Sequence, residues 1–469
     1  MHRCILFALS GLFTCAAVAQ DAPIDAPAIF QQRCAQCHGD KLQGGNAQSM
    51  IDGVWQFGAG GGLKNNIKHG ITHLGMPAFE AVLSDAEIGA VADYILEAEH
   101  TAGAVKPPPP THLQTLDYEV NVETWVEGLN SPWAIDFLDN DTALITEKPG
   151  GLRVVRQGKL EEAPVSGTPA VLYEGQGGLL DVAADPEYAE NGWIYLAYSH
   201  VLDEPGENPP AMTRIVRGKI ENNTWTGEEV LFEAEHEHYL KTRHHYGSRI
   251  VFDHKNNLYF SIGERGLQDH AQDLSRPNGK VHRIRRDGSI PRDNPFKSKS
   301  GALKTIYTYG NRNPQGLAIH PETGQLWATE HGPMGGDELN LLQSGLNYGW
   351  PLTCYGRNYD GRPISEFTSK PGIEDATHYW RPSVGVCGLD FYRGEAFKKW
   401  QGHLLAGALR YESVELLTVA GERVLHSETI LKNAGRVRDV SSGPDGAVYV
   451  VLNGPDVVLR LYPEAERAY

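Results

Sequence analysis

Cysteine is scarce in this chain, with six in 469 residues, and two of those, Cys4 and Cys15, fall at the very start. Cys34 and Cys37 stand three apart in a motif of their own. Only Cys354 and Cys387 are left for a disulfide, and they read either as one bridge or as two free, half-buried thiols. Positive charge is short too: 42 lysines and arginines face 59 acids, for a formal charge of −17. So acidic a surface argues against nucleic acid and anionic membrane as partners. Long apolar runs are missing. The one present, residues 5–18, follows Met1-His2-Arg3 and is too short to span a bilayer comfortably. Ala17-Val18-Ala19 completes it as a small-residue cleavage site, so residues 1–19 read as a signal peptide. The expectation is a periplasmic or secreted chain with no membrane span after cleavage. Helical periodicity almost vanishes beyond residue 116, which excludes a helix bundle for most of the molecule.

What is present begins with Cys34-Ala35-Gln36-Cys37-His38, a C-x-x-C-H. Two thiols at this spacing form thioethers to the vinyl groups of a haem c, and the adjacent imidazole takes the iron. Residues 28–37 read as a short helix that delivers the motif. Ser84-Asp85-Ala86-Glu87 is a capping box opening a helix over 86–98, with Ile88, Val91, Ala92 and Ile95 on one face to cover the haem. Met76, stiffened by Pro77, is the best sixth ligand to the iron, and a thioether there raises the haem potential. His69 and His73 are its rivals. These features resemble the small class I cytochromes c, and they assign residues 20–100 to a small all-α domain. The four prolines 107–110 favour polyproline II, so residues 101–115 read as a semi-rigid linker.

From residue 116 to 469, short alternating strands recur between Gly, Asp, Asn and Pro. A phrase of strand, Asp/Pro-containing turn and second strand returns at 133–147, 180–198, 249–264, 316–330, 388–408 and 437–452. Six such units at wide spacing predict an all-β, six-bladed β-propeller, in preference to a pair of β-sandwiches. Functional groups in a propeller gather where the inner strands meet the central channel, so the ends of the repeats are the places to look.

Four clusters lie there. The first, residues 243–249, holds His244 and His245, either able to act as a base near neutral pH. Arg312 and Asn313 in the second offer a guanidinium fork and an amide suited to a carbonyl that gains negative charge. The third, residues 330–340, has a glycine-rich backbone able to present carbonyls to a hard cation such as calcium, with Asp337 and Glu338 as further oxygens. Arg410 with Arg436 and Arg438, the last two on one face of a strand, imply a ligand carrying carboxylates or phosphates.

Together with Gly175-Gln176-Gly177-Gly178-Leu179-Leu180, Gly279-Lys280-Val281-His282-Arg283-Ile284, Asp287-Gly288-Ser289-Ile290-Pro291, Glu338-Leu339-Asn340 and Asn347-Tyr348-Gly349-Trp350-Pro351, these clusters make residues 130–461 resemble the soluble aldose (glucose/sorbosone) dehydrogenases that use pyrroloquinoline quinone, PQQ. The resemblance implies His245 as catalytic base and Arg312 with Asn313 around the reactive quinone carbonyl. Gln176 is implied as a cofactor- and substrate-side amide, and Arg436 and Arg438 as the holders of cofactor carboxylates. Gly332 and Pro333 are implied as carbonyl ligands of a calcium, and Glu338 and Tyr348 as positions around a second, structural one. Two departures stand out. His244 occupies the place of a family aspartate that precedes the base, and Arg410 that of a family lysine. The substrate wall near residues 379–383 matches only with a one-residue shift.

The expectation is therefore an exported enzyme that oxidises aldose sugars to lactones with PQQ and calcium. Its electrons would pass through its own haem c to an external acceptor. A calcium-dependent lactonase, a non-catalytic docking propeller and a dehydrogenase of sorbosone or another pyranose are the alternatives.

Overall fold

A computed structural model describes residues 24–467, apart from 45–46, 48, 52–60, 72–75, 103–107, 204–207 and 359–361. The stretch read as a signal peptide, residues 1–19, and His73 lie outside the described residues. The chain divides into two compact units, residues 1–105 and 106–469.

The first unit is helical. Asp25 caps its opening helix, Ala26–Arg33, by accepting from the Ala28 amide. The helix expected over 28–37 breaks at Cys34, and a separate turn, Ala35–His38, carries the rest of the motif. The capping box is formed: Ser84 Oγ accepts from the Glu87 amide, and the Glu87 carboxylate accepts from the Ser84 amide. It opens the helix Asp85–Ala102, longer at both ends than the apolar pattern suggests. Ile88, Val91, Ala92 and Ile95 are all buried with Phe30, Leu63 and Ile67, so the predicted face is the core of this unit.

The second unit is a six-bladed propeller of six antiparallel sheets. Each repeat seen in the sequence is the inner pair of strands of one blade: Pro132–Phe137 with Thr142–Glu147, Leu179–Ala184 with Ile194–Val201, Ile250–Phe252 with Asn257–Ile262, Pro314–Ile319 with Leu326–Glu330, Val386–Phe391 with Leu404–Ala408, and Arg436–Ser442 with Val448–Asn453. These strands are buried almost throughout, because neighbouring blades cover both faces. The ring closes across the ends of the unit. Strand Tyr118–Val126 pairs with Val457–Glu466, and His112–Gln114 adds a fifth strand outside it. That outer strand lies inside the stretch read as linker, and it pairs with residues 119–121.

Arg249 sits at the centre. Its guanidinium pairs with Asp181 at 2.9 Å and Asp439 at 3.0 Å and donates to the carbonyls of Gln315 and Arg438. One side chain thus joins four blades, and its charge is answered by two carboxylates. Cys354 and Cys387 are both free and both buried. Cys354 packs with Ala271 and Trp350, whereas Cys387 lies in an inner strand beside Gln315 and Arg438.

Candidate functional site

The loop at residues 175–178 organises one side of the channel mouth. A Cβ on Gly175 would stand 2.5 Å from the Arg243 carbonyl, and one on Gly178 would stand 2.3 Å from that of Lys148. Only glycine lets the loop lie against both segments. The Gln176 amide nitrogen then donates to the Arg243 carbonyl, and its side-chain oxygen accepts from the backbone N–H of His245. His245 is held in the left-handed region, at φ 58°, by this bond and by Asn313, whose Oδ1 accepts from the Gly247 amide.

His245 Nδ1 is hydrogen-bonded to the buried carboxylate of Glu264. Burial, helped by the Arg312 charge, holds the imidazole neutral to well below its ordinary range. Burial pushes Glu264 the other way, against the pull of Arg312. With Nδ1–H donated to the carboxylate, Nε2 keeps its lone pair, the state a general base requires. Glu264, at the far end of the antiparallel partner strand of the same blade, does for the ring what the missing aspartate before it does not.

Arg312 is locked from both ends. Its amide donates to Glu330 at 2.6 Å, and its Nη1 donates to the carbonyls of His331 and Gly332, both at 3.0 Å. Beside it, Asn313 Nδ2, Arg312 Nε and His331 Nε2 are buried without a hydrogen-bond partner. Burial, then Arg312, pushes the His331 ring down to about 3, so it too is neutral. Buried polar atoms without partners are rare, and three together mark a place shaped for a polar ligand.

Gly332, Pro333, Glu338 and Tyr348 all line one small cavity of about 10 Å³, together with Glu330 and Arg312. That is room for about one water-sized particle. Glu330 and Glu338 face each other across adjacent strands, and burial pushes both carboxyls upward. Asn340 Nδ2 donates to both, while its Oδ1 has no partner. Among the described residues no three His, Cys, Asp or Glu side chains cluster as metal ligands. A cation here would therefore rest on carbonyls and one or two carboxylates, the donor set of a hard ion. The Tyr348 hydroxyl is already used, donating to Leu341 and accepting from Gln343, so its carbonyl alone is left.

Across the channel, Arg436, Arg438 and Lys148 are half-buried together. Burial, with Arg438 and Arg436 adding to it, lowers Lys148 to about 8, and burial with Arg438 lowers Arg436. Lys148 donates to the Gly175 carbonyl and Arg438 to Asn453, Gln315 and the Cys387 sulfur, while the Glu412 charge acts on Arg436. Arg410 follows the inner strand of the neighbouring blade.

In the helical unit, the Cys37 and His38 amides both donate to the Cys34 carbonyl, so one turn carries both thiols and the imidazole. Met76 packs against the core, whereas the half-exposed His69 ring faces Glu80 at 3.4 Å.

Lys148, Glu264, Glu330 and His331 are the site residues that the sequence reading passed over. A signal for them existed. Three repeats end on an acid followed by a base, Glu147-Lys148, Glu264-Arg265 and Glu330-His331, and each pair turns the corner into the channel mouth.

The family described as Glucose / Sorbosone dehydrogenase matches residues 129–460, and that described as Cytochrome C oxidase, cbb3-type, subunit III matches residues 22–95. The chain is 42% identical over 338 residues to aldose sugar dehydrogenase YliI of Escherichia coli (strain K12), covering 71% of this chain and 90% of that one. The crystal structure of the soluble aldose sugar dehydrogenase from Escherichia coli in the apo-form superimposes with a TM-score of 0.70 and 40% identity, covering 74% of this chain and 100% of that one. The PQQ-bound aldose sugar dehydrogenase of Streptomyces coelicolor gives a TM-score of 0.60 and 25% identity, with 76% and 100% covered.

Proposed function

This chain belongs to the Glucose / Sorbosone dehydrogenase family, as a PQQ-type oxidoreductase joined to a cytochrome c unit, and from that premise we propose that it oxidises aldoses at the anomeric carbon, in the periplasm or outside the cell. The observation that carries the reading is the pairing of His245 with Glu264 beside three buried, unpartnered polar atoms.

His245 Nε2 takes the proton of the anomeric hydroxyl, while Glu264 keeps Nδ1–H in place and answers the charge that the ring acquires. Gln176 holds the backbone of the base, so the imidazole keeps its aim. PQQ bound at this mouth supplies the hydride acceptor, leaving the sugar as its lactone. Arg436, Arg438, Arg410 and Lys148 would hold its carboxylates, with Arg312 and Asn313 Nδ2 turned to its carbonyl. Gly332, Pro333, Glu338 and the Tyr348 carbonyl would hold calcium, with Glu330 as a further oxygen. Cys34 and Cys37 would attach haem c, with His38 and Met76 holding its iron, and that unit would supply the route for electrons to an external acceptor.

The test uses the full haem-bearing chain with PQQ, calcium and a panel of aldoses, read at the reduced-haem α-band. Reduction that needs all three additions together is expected, and a sorbosone-like aldehyde in the panel settles the substrate class. His245→Ala should cut turnover about 10²- to 10⁴-fold while quinone uptake stays intact. Quinone uptake with no reduction of haem or dye by any aldose would overturn the reading.

A further inference from the structure

The strand Thr142–Glu147 has the catalytic mouth at one end, where Lys148 follows it, and a second cavity at the other. At about 3.3 Å per residue the two ends are roughly 17 Å apart. The second cavity encloses about 240 Å³ between the closing blade and the first blade. That is below the roughly 300–1,000 Å³ of drug-sized and cofactor sites, and it suits a ligand of one ring.

Its floor is aromatic. Trp125 and Tyr449 meet edge-on at 4.8 Å, Phe137 and Tyr449 likewise at 4.8 Å, and Phe137 tilts against Trp125 at 6.2 Å. Tyr449 is buried, but Trp125 is only half-buried and keeps part of its indole on the cavity. Gly158, at φ 72°, forms the turn beside it. A Cβ there would stand 3.3 Å from Trp125 Nε1, so glycine leaves the indole N–H side uncovered.

The rim is polar, in two classes. One wall is already satisfied: Arg460 is clamped between Glu123 and Asp445, and Asp445 also accepts from the Tyr449 hydroxyl. The other wall is open. Among the described residues no protein group takes up the side chains of Asn140, Asp141 or Gln157, or the Trp125 indole N–H. The Gln157 amide donates to the Asp141 carbonyl at 2.7 Å, which fixes the two turns against each other.

An anion is disfavoured by the carboxylates of Glu123, Asp141 and Asp445 on the rim. A metal ion is disfavoured because no three ligand side chains converge here among the described residues. What remains is a neutral ligand with one apolar face and an edge of hydroxyls. We propose that this cavity binds a single pyranose ring, its C–H face on Trp125 and its hydroxyls on Asn140, Asp141 and Gln157. It is an accessory sugar site on the face of the propeller opposite the catalytic mouth, and it does not depend on the reading of that mouth.

The test titrates methyl α-D-glucopyranoside, whose blocked anomeric oxygen prevents oxidation, into the full haem-bearing chain, with calorimetry and saturation-transfer NMR as readouts. A Kd of about 1 mM is expected. Asn140→Ala with Gln157→Ala, both exposed turn positions, should weaken it about tenfold or more, the loss of one or two hydrogen bonds. His245→Ala should leave it unchanged. Trp125→Ala should abolish it; should that variant misfold, the exposed double variant carries the test alone. Binding that survives the double variant at full strength, or that His245→Ala removes, belongs to the catalytic mouth and overturns the proposal. So does the absence of binding at about fifty times the expected Kd.

Discussion

Two groups of arginines share the channel, and they are built on opposite terms. Arg249 lies deepest, yet two carboxylates and two carbonyls answer it. Arg436 and Arg438, with Lys148, lie nearer the mouth and face one another and neutral oxygens. Burial raises Asp181 to about 7 and raises Asp439, while their charges hold Arg249 upward. In the second group burial and the like charges push proton affinity down, and Glu412 pulls only Arg436 part of the way back. A buried cation answered by two carboxylates joins the blades, whereas a half-buried cluster of like charges with little negative charge beside it favours an anionic ligand.

The largest effect expected follows from the first group. Arg249→Met strands two carboxylates out of water and should cost about 3–5 kcal/mol, read as a fall in the urea midpoint of the propeller. A midpoint within error of the parent would mean that the three-way pairing is not what joins the blades. Replacing Arg436 and Arg438 by methionine should do the reverse. Stability should hold or rise as like charges are removed, while PQQ affinity falls about 10²-fold or more, at about 1.5–3 kcal/mol for each lost charge-assisted bond. A matching loss of stability would erase the contrast. The smallest effect is a proton. Lys148 sits near 8 in the free protein, and an anion beside it raises that value. The complex therefore binds more protons than the free chain, so PQQ binding should take up protons near pH 8 and weaken as pH rises through that range. Calorimetry in two buffers of different ionisation enthalpy measures the uptake, and Lys148→Met should remove it.

The propeller was legible because each blade repeats the same two-strand phrase, and that phrase is local. The haem-binding turn was legible for the same reason, since five consecutive residues carry all of its chemistry. The outer strands were not read individually, because their alternation is diluted by solvent-facing residues, as in Arg423–Lys432. Glu264 and Lys148 escaped for a different cause. Their roles exist only in the folded propeller: Glu264 meets His245 once the inner strands of one blade have paired, and Lys148 meets Arg436 and Arg438 from nearly 300 residues away. The helix 28–37 went wrong at Cys34, where a broken turn replaces a continuous pattern.

The closing blade is sewn from both ends of the propeller, Tyr118–Val126 against Val457–Glu466, and its innermost strand carries Arg436 and Arg438. The anion cradle thus belongs to a sheet that cannot exist until the last strand has been synthesised and has travelled back to the first. A nascent chain truncated before residue 457 holds the C-x-x-C-H motif, His245 and both arginines, yet has no closed ring to set them in. Such non-local closure forms late and slowly. A quinone seat built on Arg436 and Arg438 would therefore require that the two ends of the propeller have met.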